Sequence, residues 1–169
     1  MARKLGRRFN VSPELWLGIP DDSHTRTFDP LILKRSRDYV AAQGRHISLC
    51  NVLACQLIPG LDGAGRKFAF AQGSADLARV AIALERYRLE NGAYPTALLA
   101  LEPHFLKPLP HDVIGGQPLH YRLNNHHQFM LYSIGWNKVD DGGVIALAKP
   151  PAHRQDLSQG DWVWSYPQP

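Results

Sequence analysis

Cysteine is scarce in this chain of 169 residues: there are two, Cys50 and Cys55. They lie five apart in a stretch with helical character, so their side chains point in different directions and do not easily bridge. Their spacing is no zinc pattern either, and a disulfide framework or Cys-based metal site is not expected. No run of apolar residues is long enough to cross a membrane. The longest, Ile47 to Leu61, is short and is interrupted by Asn51, Gln56 and Pro59. Met1–Asn10 is basic, yet no apolar segment of the secretory kind follows it. The expectation is a soluble chain with no membrane span.

Charge of one sign is also limited. The formal net charge is +4, and Arg3, Lys4, Arg7 and Arg8 alone account for it. Such a terminus can touch phosphates. No aromatic residues interleave with these arginines and no recognition-helix motif follows. A solvated tail is therefore expected, with no nucleic acid partner. With 44% hydrophobic and 20% charged residues, the composition is that of an ordinary globular protein.

Motifs for nucleophilic or cofactor chemistry are missing as well. Ser133 stands in Tyr-Ser-Ile-Gly and not in the Gly-x-Ser-x-Gly elbow. Gly63-Ala-Gly-Arg-Lys67 lacks the full phosphate-loop spacing and no strand precedes it. His104, His111, His120, His126 and His127 crowd the C-terminal half, but none has a metalloprotease spacing. An enzyme is not expected. The alternative reading is a small metal-dependent hydrolase using His111, Asp112 and His120 with a carboxylate from a nearby acidic loop.

What is present is one strong helical pattern. Leu77, Val80, Ala81, Leu84 and Tyr87 recur at three and four, while Arg79, Ala83, Arg86 and Glu90 make the largely polar face. Asn91-Gly92 should stop this helix, since glycine readily takes the positive φ of a helix end. Tyr94-Pro95 then sets an extended exit. Upstream, Asp29-Pro30 reads as a cap and first-turn proline for a helix to about Gln43, ending at Gly44. Ser12-Pro13 could open a short helix before it. A further helix over His46–Ile58 should break or kink at Pro59-Gly60 and at Asp62–Gly65. The main helix should run over 66–91, with a kink or restart at Gly73-Ser74.

Downstream, Thr96 can cap a short helix that ends near Pro103. Strands are expected at Leu119–Leu123, Gln128–Ile134, Val144–Ala148 and Asp161–Tyr166. Asn124–His127 should form a hairpin loop, Gly135–Gly143 a polar loop, and Pro150–Gly160 an exposed loop. The polar loop carries Asn137, Asp140 and Asp141, and Asp156 and Asp161 follow. Adjacent carboxylates with an asparagine and flexible glycines can supply the hard oxygens of a Ca²⁺ site. The same residues also favour turns with no ion present.

Leu84-Glu-Arg-Tyr-Arg-Leu-Glu-Asn-Gly-Ala-Tyr-Pro95 resembles the end of the long helix in the major pseudopilins of type II secretion systems, where Tyr-x-x-x-Asn-Gly-x-Tyr-Pro leads from helix to head. Ala97–Leu101, Leu109–Asp112, Gly116–Tyr121, Phe129–Gly135, the acidic loop and Gly160–Trp164 are similar to successive parts of that head. The resemblance covers about residues 77–166. It implies an α+β fold: a long N-terminal helix packed on a small antiparallel sheet, over residues 62–169. Residues 1–61 would form a mostly helical or irregular segment before it. It further implies a non-enzymatic structural and interaction role beside other protein subunits, as in a pseudopilus or secretion apparatus of the bacterial cell envelope or periplasm. A bound Ca²⁺ would use Asp140, Asp141 and Asp161, with Asn137 and Asp156 nearby. The family's leader and membrane anchor do not show in Met1–Leu61. The chain is therefore expected to be a head module belonging to a longer protein.

Overall fold

The computed structural model describes residues 27–43, 49–124, 128–150 and 154–164. The chain divides into two units, Met1–Phe68 and Ala69–Pro169, a boundary seven residues beyond the 61/62 division expected above. The candidate helix near Ser12, residues 125–127 of the expected Asn124–His127 hairpin loop and the residues after Trp164 lie outside the described residues.

In the first unit, helix α1 spans Pro30–Gln43. Asp29 caps it as its position before Pro30 suggests: its Oδ1 accepts the Leu31 N–H at 3.0 Å. Helix α2 then runs unbroken from Leu49 to Asn91 and carries the chain into the second unit. The expected breaks at Pro59-Gly60 and at Asp62–Gly65 are absent. A proline inside a helix removes one N–H bond and crowds the turn before it, at a cost of about 3 kcal/mol. That penalty did not end a helix of 43 residues. Among the described residues no helix is long and apolar enough to cross a membrane.

The second unit has α+β architecture. After α2, a 3₁₀ turn spans Leu98–Leu101. Ala97, not Thr96, occupies its N-cap and makes no side-chain capping bond. Five strands follow: β1 (His120–Leu123), β2 (Phe129–Ser133), β3 (Ile145–Leu147), β4 (Gln155–Gly160) and β5 (Trp162–Val163). They form two small antiparallel sheets, one in the order β1-β2-β5 and the other β3-β4. In the first, Tyr121 lies opposite Leu131, and Ser133 opposite Trp162. Most of the stretch expected to be an exposed loop before Gly160 is thus strand β4. Its sequence, Gln-Asp-Leu-Ser-Gln-Gly, lacks the β-branched and aromatic residues that mark a strand.

The apolar stripe of α2 is the core face. Leu77, Val80, Ala81 and Leu84 are buried in one cluster with Leu98, Leu101, Leu119, Phe129 and Leu131. Complete burial of a leucine such as Leu84 or Leu131 contributes roughly 1.5–3 kcal/mol. The buried arc is wider than the pattern indicated, because Ala83 is buried too. The helix does not end and restart at Gly73. A Cβ there would stand 3.2 Å from Val113 Cγ1 and 3.4 Å from Trp162 Cε3. The missing side chain instead lets Trp162 lie against the helix, its ring edge-on to Phe70 at 5.3 Å.

Candidate functional site

The acidic loop starts where β2 ends. Gly135 (φ +69°) turns the chain against the Gly160 carbonyl, which a side chain at 135 would overlap. Gly160 (φ +66°) forms the corner between β4 and β5, where a Cβ would sit 2.6 Å from Ala146 N. Both corners need positive φ and leave no room for a side chain, so both require glycine. This close approach brings Asp161 beneath the loop.

Asp161 is fully buried. Its Oδ2 accepts the Gly143 N–H at 2.6 Å and its Oδ1 the Asp141 N–H at 3.3 Å. Its own N–H donates to the Val144 carbonyl at 2.8 Å. One side chain at the start of β5 therefore holds a loop some twenty residues upstream. Asn137 works inside the loop: Oδ1 accepts from Val139 N at 3.2 Å, and Nδ2 donates to Asp141 Oδ2 at 3.0 Å.

Asp140 joins a second group of side chains. Its Oδ1 accepts from Gly142 N at 2.9 Å and from the Tyr132 hydroxyl at 3.1 Å. Its Oδ2 lies 3.4 Å from His120 Nδ1, and His120 stacks on the Tyr132 ring at 4.9 Å. Arg122 donates to the Gly142 carbonyl and lies over the same ring. The bond from the Gly142 N–H holds the Asp140 carboxyl below its ordinary range, with Tyr132, His120 and Arg122 adding to it. Burial pushes the Tyr132 hydroxyl up, and its bond to Asp140 pushes it further.

Of the five expected ion ligands, Asp161 and Asp141 meet through backbone, and Asp141 and Asn137 through side chains. Asp140 is engaged with Tyr132 and His120. Asp156 bonds within its own strand, accepting from Ser158 N at 2.9 Å and Ser158 Oγ at 2.6 Å. Among the described residues no three His, Cys, Asp or Glu side chains stand grouped as an ion-holding set. By donor type the loop suits a hard cation. As arranged here, its carboxylates accept from N–H and O–H donors.

His111, Asp112 and His120 occupy three different settings. His111 is exposed and forms a single β-bridge with Pro118. His120 is half-buried against Tyr132. Asp112 is buried, with 1% exposure. Its Oδ1 accepts from Ile114 N at 2.8 Å and Ser133 Oγ at 2.7 Å, and its Oδ2 accepts from Ile134 N at 3.0 Å. Burial raises the Asp112 carboxyl above its ordinary value, outweighing the hydrogen bonds that lower it.

Two features escaped the sequence reading: the cross-link from Asp112 to the end of β2, and the His120–Tyr132–Asp140–Arg122 group. The Asp-x-Ile pattern at 112–114 signals a local turn. Only the β1–β2 register, which sets His120 opposite Tyr132, reveals the second. No family model, no curated protein and no solved structure matches the chain.

Proposed function

We propose that the second unit is a non-enzymatic structural and interaction module, similar in kind to the head of a type II secretion pseudopilin. The observation that carries this reading is the closure of the fold. The apolar stripe of a long helix lies on the β1-β2-β5 sheet, and Asp161 at the start of the last strand holds the acidic loop. The order of parts supports it too: helix, Asn-Gly stop, Tyr-Pro exit, short helical turn, antiparallel strands, acidic loop and returning strand. The buried polar groups support cross-linking over chemistry, because the Asp112 and Asp161 carboxylates accept bonds from loop and strand ends.

On this reading the chain acts beside other protein subunits at the cell envelope. Ca²⁺ is the cation whose chemistry suits the loop, through Asp140, Asp141 and Asp161 with Asn137; Asp156, bonded to Ser158, is the weakest of the five. A bound ion would add its charge to a loop that hydrogen bonds already shape.

The test follows the full chain's size distribution by light scattering across a concentration series, with Ca²⁺ and with a chelator. In-cell crosslinking to envelope proteins runs beside it. Self-association or a reproducible envelope partner is the expected outcome. A chain that stays monomeric and captures no envelope protein refutes the reading. Metal-dependent hydrolase turnover lost in His111→Ala or His120→Ala would transfer the assignment to an enzyme.

A further inference from the structure

Asn91 is the only asparagine in the chain followed by glycine. It ends α2, and both Asn91 and Gly92 are exposed. Gly92 adopts φ +80°, and a Cβ built there meets nothing within 4 Å. Gly92 carries no side chain to shield its own backbone nitrogen, and the space beside its Cα is open. Two bonds of the last helical turn do restrain the pair. Asn91 Nδ2 donates to the Tyr87 carbonyl at 2.9 Å, and Gly92 N–H donates to the Arg88 carbonyl at 2.8 Å.

We propose that Asn91–Gly92 is a spontaneous modification site, at which the side-chain amide is lost and the cap of α2 is lost with it. The Gly92 backbone nitrogen, after giving up its proton to solvent, attacks Asn91 Cγ. The bond from Cγ to the side-chain nitrogen breaks, and that nitrogen takes up a proton and leaves as ammonia. The product is a five-membered cyclic imide. Water then adds to one of its two carbonyls. Opening on one side gives aspartate; opening on the other reroutes the backbone through the side chain as isoaspartate. Water is the only co-reactant and no redox change occurs. Asparagine is among the thermolabile side chains.

Fraying of the last turn sets the pace. While the bonds to Tyr87 and Arg88 hold, the Gly92 nitrogen is engaged and the side chain is turned back along the helix. When they open, as helix ends do on their own, the pair can cyclise. The change is then locked in. A carboxylate in place of the amide has no N–H for the Tyr87 carbonyl. It also adds negative charge at the negative end of the helix, next to Glu90. Glu85, further back on the helix, accepts from the Tyr94 hydroxyl and from Arg88, and these bonds do not depend on the Asn91 amide.

The experiment incubates the full chain at mildly alkaline pH and maps the acid product by peptide mass spectrometry, with enzymatic methyl labelling of isoaspartate. Conversion is expected at Asn91 before Asn124, Asn125 or Asn137, and urea should speed it several-fold by melting the cap. Earlier conversion at another asparagine overturns the proposal, as does a rate that urea leaves unchanged. Asn91→Gln should remove the early product, and an undiminished early product in that variant overturns the assignment. For the consequence, amide exchange is compared between the parent and Asn91→Asp. Faster exchange confined to the last turn of α2 is expected, and equal exchange overturns the loss of the cap.

Discussion

Asp112 offers a decisive perturbation because one buried carboxylate serves three donors. Asp112→Ala removes the acceptors of the Ile114 and Ile134 N–H groups and of the Ser133 hydroxyl. A buried donor left without a partner costs about 1–3 kcal/mol. The Ser133 hydroxyl can rotate to another acceptor, whereas the two backbone N–H groups are fixed. The expected loss is therefore about 2–5 kcal/mol. Asp112→Asn keeps the shape but turns an NH₂ group toward at least one donor, and should cost about 1–3 kcal/mol. The pH dependence separates the charge from the shape. The folded-state carboxyl is raised above its ordinary 3.8, so in the window above that value the folded state binds more protons than the unfolded. Stability from this group then falls as pH rises through the window and levels off above the folded value. Asp112→Asn lacks that slope, so its deficit against the parent should be largest on the acid side and shrink toward neutral pH. Urea denaturation of both proteins across the acid range measures this difference directly. If Asp112→Ala stays within about 0.5 kcal/mol of the parent, the carboxylate is no cross-link. A deficit that grows toward neutral pH would show that hydrogen bonding outweighs burial.

Leu84→Ala should cost about 2–5 kcal/mol, because Leu84 is fully buried. Leu89→Ala, at a position 76% exposed on the same helix, should stay within about 0.5 kcal/mol in the same denaturation assay. Gly160→Ala should destabilise by more than about 1 kcal/mol, since strained backbone and overlap with Ala146 N act together; an unchanged thermal midpoint would contradict this. Asp161→Ala should release the loop, seen as faster amide exchange at Asp141 and Gly143, the two residues whose N–H groups it accepts. The parent's thermal midpoint should rise with Ca²⁺ and fall with a chelator, and a midpoint indifferent to both removes the ion from the proposed function.

The legible parts of the fold were those in which one period dominates. From Leu77 to Tyr87 the apolar residues recur at helical spacing, and that face is the core. Strands β1, β2 and β3 lie within their expected ranges because Tyr121, Phe129, Leu131 and Ile145 stand in short apolar runs bounded by turn residues. Strand β4 was illegible because most of its side chains are polar and its partner β3 contributes only three residues. Neither Pro59 nor Gly73 ends the helix, for a common reason: each weakens a helix locally, but local preference is only a few kcal/mol. At Gly73 the packing of Trp162 explains the residue, and a contact with a tryptophan 89 positions away cannot be read from neighbouring residues. The site divides the same way. The loop's composition marked Asp140 and Asp141 as a group, yet which donor each carboxylate accepts depends on the β1–β2 register and the Gly135–Gly160 approach.

The proportions of this fold explain why its carboxylates stand at joints. Its sheets are built from strands of two to six residues, and a two-stranded hairpin alone is marginal in water. Ladder bonds between such strands cannot hold long connections in place. Asp112 therefore ties one turn to the end of β2, Asp161 ties the acidic loop to β5, and Glu102 accepts the Leu109 N–H at 2.7 Å across the connector after the 3₁₀ turn. This bears on what an ion can add. Asp161 already accepts two N–H bonds, so the loop does not need a cation to cancel an unpartnered buried charge. Ca²⁺ would act by mass action on a loop that is already formed, raising stability by about 2.7 kcal/mol at a hundredfold excess over its dissociation constant. The second unit should accordingly keep its fold in a chelator at moderate temperature and lose only the increment that binding supplies.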